Sequence, residues 1–202
     1  MDSTTYADYT GDAEHAHQFL APAVLAALPP PPARIFDLGC GNGSFAADLT
    51  TRGYTVTGVD PSAPGIAYAT QRWPGLDVHQ GSAYDDLVSR YGRFPFVVSL
   101  EVVEHVYAPR DYARTLFDLL DPGGTAIVST PYHGYLKNLA IAVAGGFDKH
   151  ATALWDHGHI KFWSMETLGQ LLREAGFGTI EWRRVGRIPA LARSMVAIAR
   201  KP

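Results

Sequence analysis

The sequence predicts an α/β domain in which helices cover both faces of a mostly parallel sheet. Short apolar segments alternate with helical segments between residues 33 and 130, and glycine or acidic residues follow the first apolar segments. Such alternation is typical of βαβ units, which build parallel sheets. The 202 residues, 47% hydrophobic and 18% charged, suffice for one domain with a substantial core. We therefore expect a single domain that binds ligands outside the carboxyl ends of its strands.

The elements of the first part follow one another closely along the chain. Helical spacing over residues 12–28 ends at four prolines, because proline interrupts a helix. β-Branched and apolar runs predict the strands, and runs of helix formers predict the helices between them. The predicted strands are 33–39, 54–60, 76–81, 94–100 and 123–130, and the predicted helices between them are 43–52, 62–72 and one from about residue 101 to residue 120.

The second part of the chain departs from this alternation. Residues 131–163 combine aromatic residues, histidines and glycines with one apolar helical run. A long insertion after a strand predicts a cap that forms a wall of the substrate site. Residues 164–177 predict a helix with Ser164 as its N-cap. Residues 178–185 and 193–201 predict two final strands, which we expect to pair antiparallel. The domain then consists of a core (33–130), a cap (131–163) and a closing helix with two strands (164–202).

Composition narrows the possible compartments and partners. The net charge of −3 provides no basic footprint for nucleic acid. Cys40 is the single cysteine, which favours a reducing compartment, and no apolar run reaches the length of a membrane-spanning helix. The N-terminal residues lack the pattern of a secretory signal, so we expect a cytoplasmic protein. Basic residues near the C-terminus leave peripheral contact with an anionic membrane surface open, and oligomeric state is not legible.

A glycine-rich segment, DLGCGNGSF at 37–45, joins the first predicted strand to its helix. Gly39, Gly41 and Gly43 allow a tight turn and a close approach of a ligand to the main chain. Asp60 ends the second predicted strand, where a carboxylate can accept hydrogen bonds from both ribose hydroxyls. The segment and Asp60 together predict a nucleotide-binding site.

The kind of nucleotide is not fixed by the glycines alone. GNGSFA at 41–46 satisfies the G-x-G-x-x-A pattern of dinucleotide sites, which is a weak signal by itself. Asp37 opposes a dinucleotide, because its carboxylate would repel a pyrophosphate and attract an ammonium group. The chain also lacks room for a separate substrate domain. An NAD-binding oxidoreductase and a non-catalytic cofactor-binding module are therefore remote alternatives.

Four segments together resemble the class I S-adenosylmethionine-dependent methyltransferases. These are DLGCGNGSF, GVD at 58–60, VVSLEVVEHV at 97–106 and LDPGG at 120–124. The resemblance covers about residues 33–130, and the closing helix and strands also fit it. It implies a Rossmann-like seven-stranded sheet, with six parallel strands and one antiparallel strand. It also implies an enzyme that uses S-adenosylmethionine as its cofactor.

The same resemblance assigns roles to residues along the cofactor. It places the methionine end of the cofactor at Asp37 and the glycine segment, the ribose at Asp60, and the adenine beside Ser82. Many relatives have Asp where Ser82 stands, so the contact to the adenine amine is open here. The expected cofactor-binding residues are Asp37, Gly39, Cys40, Gly41, Gly43, Asp60, Ser82, Ala83, Ser99 and Leu100.

The segment LEVVEHV at 100–106 places Glu101, Glu104 and His105 at positions i, i+3 and i+4. In a helix these three side chains share one face. Two carboxylates and an imidazole suit a divalent ion such as Mg²⁺, Mn²⁺ or Zn²⁺. His105 could instead act alone as a base, and acidic residues in a first helical turn also have a purely structural reading. We predict Glu101, Glu104 and His105 as the catalytic residues.

A fourth metal ligand is implied by resemblance to two branches of the family. An ExxEH turn with a later histidine before KFWS is similar to the ubiquinone-type O-methyltransferases and to the small-RNA 3′-end 2′-O-methyltransferases. In the second branch two Glu and two His hold the metal. Carried onto this chain, that set is Glu101, Glu104, His105 and His159, with His157 as the weaker choice.

Aromatic residues of the predicted cap suggest the class of acceptor. Tyr132, His133, Trp155 and His157 are the predicted substrate residues. Beside an apolar helix they favour a hydroxyl of a small aromatic or lipophilic acceptor, such as a phenol or quinol. An RNA 2′-hydroxyl or a sugar is the alternative, and the acidic net charge makes nucleic acid the weaker choice. Residues 6–19 are either a flap over the cofactor or a surface helix.

Overall fold

The computed structural model of the chain describes residues 18–151, 154 and 158–202. Three predictions fall wholly or partly outside this range. The flap at 6–19 and the helix at 12–28 are described only from residue 18 onward, and the predicted substrate residues Trp155 and His157 lie outside the described residues.

Strands and helices alternate as predicted through the first two thirds of the chain. The strands are β1 (Arg34–Leu38), β2 (Thr55–Asp60), β3 (Asp77–Gln80), β4 (Phe94–Leu100), β5 (Leu120–Pro131), β6 (Ile180–Val185) and β7 (Ser194–Arg200). The helices are α1 (18–25), α2 (Ser44–Thr51), α3 (Ala63–Arg72), α4 (Leu87–Tyr91), α5 (Pro109–Asp118), α6 (Tyr135–Val143), α7 (Phe147–Ala151) and α8 (Met165–Glu174), with a 3₁₀ turn at Pro189–Leu191.

The seven strands form one sheet in the order β3-β2-β1-β4-β5-β7-β6. Neighbouring strands from β3 to β5 pair in parallel. β7 pairs antiparallel with both β5 and β6, so β7 alone runs against the other six. The predicted Rossmann-like sheet and the antiparallel final pair are confirmed. Strand order reverses between β1 and β4, which places the ligand crevice at the carboxyl ends of these strands.

Each face of the sheet has its own apolar core. Successive residues of a strand point to opposite faces. Phe36 and Val97 therefore pack with α4, α5 and α8, whereas Ile35 and Val98 pack with α1, α2 and α3. Strands buried on both faces explain why β1 and β4 read as nearly continuous apolar runs in the sequence.

The prediction of a helix from residue 101 is wrong. Residues 101–108 form turns and bends, and α5 begins only at Pro109. Glu101 has a left-handed backbone with a φ of 56°, which a continuing helix does not accommodate. Proline is well suited to the first helical position because it has no N–H to leave unpaired. Glu101, Glu104 and His105 consequently do not share a helical face.

The smaller elements agree with the local sequence. The Ser164 hydroxyl accepts a hydrogen bond from the N–H of Thr167 and caps α8, as predicted. The Thr167 side chain in turn bonds the backbone of Ser164, which completes a capping box. Gly176 ends this helix with a φ of 108°. The short helix α4 was not predicted, and Asp86 caps it through the N–H of Ser89.

Tyr112→Phe should lower the stability of the core while leaving the fold intact. The buried Tyr112 hydroxyl donates to Ser99 Oγ at 2.8 Å, and Ser99 Oγ donates to the carbonyl of Leu38 at 2.7 Å. Losing one buried hydrogen bond should reduce the free energy of unfolding by about 1 kcal/mol. Urea denaturation measures this change. Tyr68→Phe at an exposed position is the control, and an equal loss there would contradict the expectation.

Candidate functional site

The glycine-rich segment forms a tight turn at the carboxyl end of β1. The N–H groups of Gly39 and Cys40 both donate to the carbonyl of Val59, at 2.8 and 3.0 Å, which ties the turn to β2. Gly39 has a φ of 86° and Gly43 a φ of 76°, where side chains are unfavourable. A Cβ at Gly39 would also collide with Val102. The glycines therefore permit both the turn and the close packing of residues 101–106 against it.

Asp60 joins the ends of β1 and β2. Its Oδ2 accepts a hydrogen bond from the Gly41 N–H at 2.9 Å, and its Oδ1 accepts one from the Ser62 N–H at 2.8 Å. Each carboxylate oxygen has a further lone pair, so the group can still accept from a ligand hydroxyl. Burial raises the pKa of Asp60, whereas these two backbone donors oppose the shift.

Asp37 is a second buried carboxyl group beside Asp60. Burial, and then the nearby charge of Asp60, raise the pKa of Asp37 to about 7. Burial with a neighbouring like charge disfavours the ionised form. A cationic group beside Asp37 would reverse this effect, so the pair forms a place for a positively charged ligand.

The structure brings the other predicted cofactor residues to the same edge of the sheet. Ser82 and Ala83 follow β3, while Ser99 and Leu100 end β4. The side chain of Ser99 is fully buried and donates to the carbonyl of Leu38, so it is not exposed to a ligand. The Ser82 N–H donates to Asp85 Oδ2 at 2.8 Å. Asp85, which sequence reasoning missed, thus supplies an exposed carboxylate beside Ser82.

Glu101 anchors the end of β4 to two neighbouring strands. Its N–H donates to the Ser129 carbonyl at 3.1 Å, and Ser129 Oγ donates to Glu101 Oε1 at 2.7 Å. Ser194 Oγ donates to Glu101 Oε2 at 3.3 Å. Burial raises the pKa of Glu101 to about 7, and these hydroxyl donors oppose that shift. Both carboxylate oxygens are therefore engaged with β5 and with the start of β7.

Glu104 has a different environment and is buried more deeply than Glu101, at 1% exposure. Thr130 Oγ1 donates to its Oε2 at 2.9 Å. Its Oε1 has no hydrogen-bond partner among the described residues and lies 3.9 Å from His159 Nε2. A buried oxygen without a hydrogen-bond donor destabilises the fold unless a ligand or an ion interacts with it.

Glu104, His105 and His159 form a cluster of three potential metal ligands. One ligand atom from each lies within 4.8 Å of the others. The two imidazole rings meet edge to face at 4.9 Å between centroids. This cluster contains three of the four predicted metal ligands. Glu101, the fourth, lies outside it.

Burial disfavours the charged forms of Glu104 and His159. It raises the pKa of Glu104 well above its usual value, and Glu101 adds to the shift. Burial, and then His105 and His133, lower the pKa of His159 to about 4. Although 3.9 Å is within ion-pair distance, the low pKa of His159 argues against an ion pair at neutral pH. The neutral imidazole of His159 is the form that binds a metal.

A cap segment, residues 158–163, holds His159 against the turn at 103–105. The N–H groups of Ile160 and Lys161 both donate to the carbonyl of Glu104, at 3.0 and 3.1 Å. The indole N–H of Trp163 donates to the carbonyl of Val103 at 3.0 Å. These contacts join residues far apart in sequence, so the cap and the turn form one unit. Trp163 is a positioning residue that the sequence did not reveal.

The cap also encloses a mostly apolar cavity of about 390 Å³. Its lining residues are His133, Asn138, Ile141, Ala142, Phe147, His150, Ala151 and Phe162. His133 contacts Phe162 edge to face at 5.0 Å and helps to lower the pKa of His159. His133 is thus both a wall of the cavity and a neighbour of the Glu104 cluster. Tyr132, the other described substrate prediction, is buried beside it.

Asp37→Asn should increase the stability of the ligand-free chain above neutral pH. A carboxyl group whose pKa rises on folding binds more protons in the folded state, so its contribution to the free energy of unfolding falls as pH rises from about 4 to 7. The amide does not titrate and therefore has no such loss. At pH 8 we expect the free energy of unfolding of Asp37→Asn to exceed that of the unsubstituted chain by about 2–4 kcal/mol. Urea unfolding between pH 5 and 8 measures it. Asp111→Asn is the exposed control, and an unchanged pH slope in Asp37→Asn would contradict the expectation.

Comparison with known proteins adds the family. A family described as "Methyltransferase domain" matches residues 13–181. The ubiquinone biosynthesis O-methyltransferase of Caulobacter sp. (strain K31) is 37% identical over 116 residues, which are 55% of this chain and 46% of that protein. The chain thus spans about half the length of this curated relative.

Two solved structures share the fold at low sequence identity. A methyltransferase from Haloferax volcanii, solved with the Trm112 methyltransferase activator, has a TM-score of 0.76 at 16% identity and covers 98% of this chain and 94% of that one. Magnesium protoporphyrin IX methyltransferase from Synechocystis PCC 6803 with bound SAH has a TM-score of 0.67 at 18% identity, covering 95% and 84%. The resemblance to the class I S-adenosylmethionine-dependent methyltransferases is confirmed, and because the family match spans most of its length, the chain belongs to the methyltransferase domain family.

Proposed function

We propose that this chain transfers a methyl group from S-adenosylmethionine to a hydroxyl oxygen of a small aromatic or lipophilic acceptor. The single observation that carries the oxygen acceptor is Glu104 Oε1, which is buried without a hydrogen-bond donor, 3.9 Å from His159 Nε2. A hydroxyl must lose its proton to accept a methyl group. This cluster can take up that proton, or it can hold a cation that stabilises the negative charge on the acceptor oxygen. The name of the Caulobacter relative, an O-methyltransferase, supports the same reaction.

The cofactor would lie along the carboxyl ends of β1, β2 and β3. The ammonium of its methionine end would sit beside Asp37 and neutralise the buried carboxyl pair. Asp60 would accept the ribose hydroxyls while it still holds Gly41 and Ser62. Asp85 offers an additional acceptor for the adenine amine near Ser82. These groups bind and orient the cofactor, and its sulfonium is already activated for in-line transfer.

The Glu104 cluster fits a divalent cation. One carboxylate and two imidazoles form a mixed oxygen and nitrogen set, which favours Zn²⁺, Mn²⁺ or Fe²⁺ over Mg²⁺. A bound cation would lower the pKa of the acceptor hydroxyl. Glu104, His105 and His159 would hold it, with Thr130 fixing the second oxygen of Glu104.

A metal-free alternative assigns the proton to His105. Its Nδ1 lies 3.2 Å from the carbonyl of Gly158. Donation from Nδ1 to that carbonyl would leave Nε2 as the basic nitrogen. The low pKa of His159, about 4, makes it a poor base at neutral pH, so His105 is the candidate base in this alternative.

The cap cavity supports the choice of acceptor. Its walls are mainly aliphatic and aromatic, with His133, Asn138 and His150 as the polar groups. A pocket of this kind suits an aromatic ring with few polar substituents. An RNA 2′-hydroxyl or a sugar would be poorly matched to these apolar walls. The metal site of this chain would also differ from that of the small-RNA enzymes. It would lack their second glutamate ligand, because Glu101 is bonded to Ser129 and Ser194.

Glu104→Gln should abolish methyl transfer while cofactor binding persists. Transfer from labelled S-adenosylmethionine to phenol, quinol, sugar and short RNA acceptors, with and without chelator, measures the activity. We expect about a 100-fold loss or more, as for removal of a group that handles a reacting proton. Calorimetry with Mn²⁺ and Zn²⁺ should show metal binding that the variant loses.

Glu101→Gln is the matched control for this experiment. Its amide can still accept from Ser129, so metal binding should persist and activity should fall far less. An equal loss of metal binding and activity in both variants would show that Glu101 is a metal ligand. Undiminished transfer by Glu104→Gln would overturn the role of the cluster, and turnover that is insensitive to chelator would favour the His105 base.

A further inference from the structure

Three polar side chains, of His133, Asn138 and His150, interrupt the apolar lining of the cap cavity. Helices α6 and α7 supply most of this lining, and among the described residues no helix is long and apolar enough to cross a membrane. The other described lining residues are apolar, and none of them is acidic. A polar substituent that is buried without a hydrogen-bond partner is unfavourable. The three polar side chains therefore decide which substituents of an aromatic acceptor can be bound.

Asn138 is held in this wall by His133. The Nδ1 atom of His133 lies 3.4 Å from Asn138 Oδ1. The backbone N–H of His133 donates to the carbonyl of Trp163 at 3.2 Å, which fixes this residue to the cap segment. Burial is the largest cause that lowers the pKa of His133, so its ring is neutral at neutral pH and carries one N–H. With that N–H donating to Oδ1, the amide nitrogen of Asn138 is left as a donor to a ligand in the cavity.

Lys137 adds a positive charge beside the same wall. Its Nζ donates to the carbonyl of Arg193 at 3.4 Å, and this carbonyl also accepts from the backbone N–H of Tyr132 at 2.9 Å. The ammonium group therefore lies beside the chain that leads into His133. The ion pairs among the described residues do not include Lys137. Burial lowers the pKa of Lys137 and the attraction of Glu101 opposes that shift, so a second anion nearby would stabilise the ammonium further.

The charge of the cap differs from the charge of the chain as a whole. The chain has a net charge of −3. Within residues 131–151, 154 and 158–163, however, the three lysines Lys137, Lys149 and Lys161 accompany a single acidic residue, Asp148. A carboxylate in the cavity would be attracted by this charge, whereas an ammonium group would be repelled. The cap therefore favours an anionic substituent over a cationic one.

We propose that the acceptor is an aromatic hydroxy acid, whose carboxylate accepts a hydrogen bond from the Asn138 amide and is stabilised by the charge of Lys137. A hydrogen bond to a charged group stabilises a complex more than a neutral one does. The apolar walls would contact the ring, and Asn138 and Lys137 would determine the specificity for its acidic substituent. This assignment rests on the proposed function, because it names the acceptor class of the same site.

Three acceptors that share one ring test this assignment. A hydroxybenzoate, the matching hydroxybenzamide and the matching hydroxybenzylamine differ in one substituent, which is anionic, neutral or cationic. We expect kcat/KM for methyl transfer to the hydroxybenzoate to be about tenfold higher than for the amide and about 100-fold higher than for the amine. Equal values for the three acceptors, or a preference for the amine, would overturn the proposal.

Substitutions in the polar wall test the two residues. Asn138→Leu and Lys137→Gln should each raise the KM for the hydroxybenzoate about tenfold with little change in kcat, because the carboxylate contact is the same in the ground state and the transition state. Lys137→Arg should retain most of the preference. Lys161→Gln is the matched control, because Lys161 Nζ lies 6.0 Å from the centroid of the Tyr107 ring, which is outside the cavity lining.

A preference for the hydroxybenzoate that persists in both Asn138→Leu and Lys137→Gln would also overturn the proposal. The carboxylate would then bind elsewhere, for example to a cation at the Glu104 cluster. Circular dichroism of each variant checks that the fold is retained.

Calorimetry of the full chain with the same three compounds, in the presence of chelator and without S-adenosylmethionine, measures binding apart from methyl transfer. We expect the hydroxybenzoate to bind about tenfold more tightly than the amide, and Asn138→Leu to remove this difference. If this order of affinities is found but none of the compounds is methylated, the proposed function fails and the anion-binding wall stands. If the compounds are methylated without this order, the wall fails and the proposed function stands.

Discussion

The left-handed backbone of Glu101 determines how the three parts of the site meet. With a φ of 56°, it ends β4 and prevents a helix from following directly. Its N–H and carboxylate are held by Ser129, so the reversal is fixed to the neighbouring strand. Val102 then packs against Gly39 of the glycine-rich turn, and Glu104 faces His159 of the cap. One backbone conformation thus joins the glycine-rich turn, the Glu104 cluster and the cap.

Buried and half-buried carboxyl groups at this edge oppose the stability of the ligand-free chain. Asp37, Asp60, Glu101 and Glu104 all have raised pKa values, with burial as the largest cause. Parallel strands bring their carboxyl ends to one edge, so these groups also repel one another. A positive charge beside these groups would relieve that repulsion. In the proposed function, the ammonium of the cofactor beside Asp37 and a divalent cation at the Glu104 cluster would supply that charge.

Local sequence patterns predicted the fold well because each strand and helix is recognisable from a short stretch of residues. The seven strands, the caps of α8 and the glycine-rich turn all follow from residues close in sequence. The conformation at Glu101 does not follow from nearby residues. The spacing of Glu101, Glu104 and His105 at i, i+3 and i+4 is equally compatible with a tight turn. Separation of Glu101 from Glu104 depends on Ser194, which is 93 residues away. Likewise, Trp163 and Asp85 acquire roles only through contacts that the sequence does not display.

The apolar composition of the cap has two separate consequences in three dimensions. The sequence predicted an apolar substrate wall, and Ile141, Phe147 and Phe162 do line a cavity. Leu136, Leu139 and Val143 of the same helix face away from any core. A wall for a small acceptor needs only the inner side to be apolar, and a polar outer side would stabilise the helix in water. The acceptor wall therefore accounts for the inner side of α6, whereas the outer stripe is a separate feature of the cap.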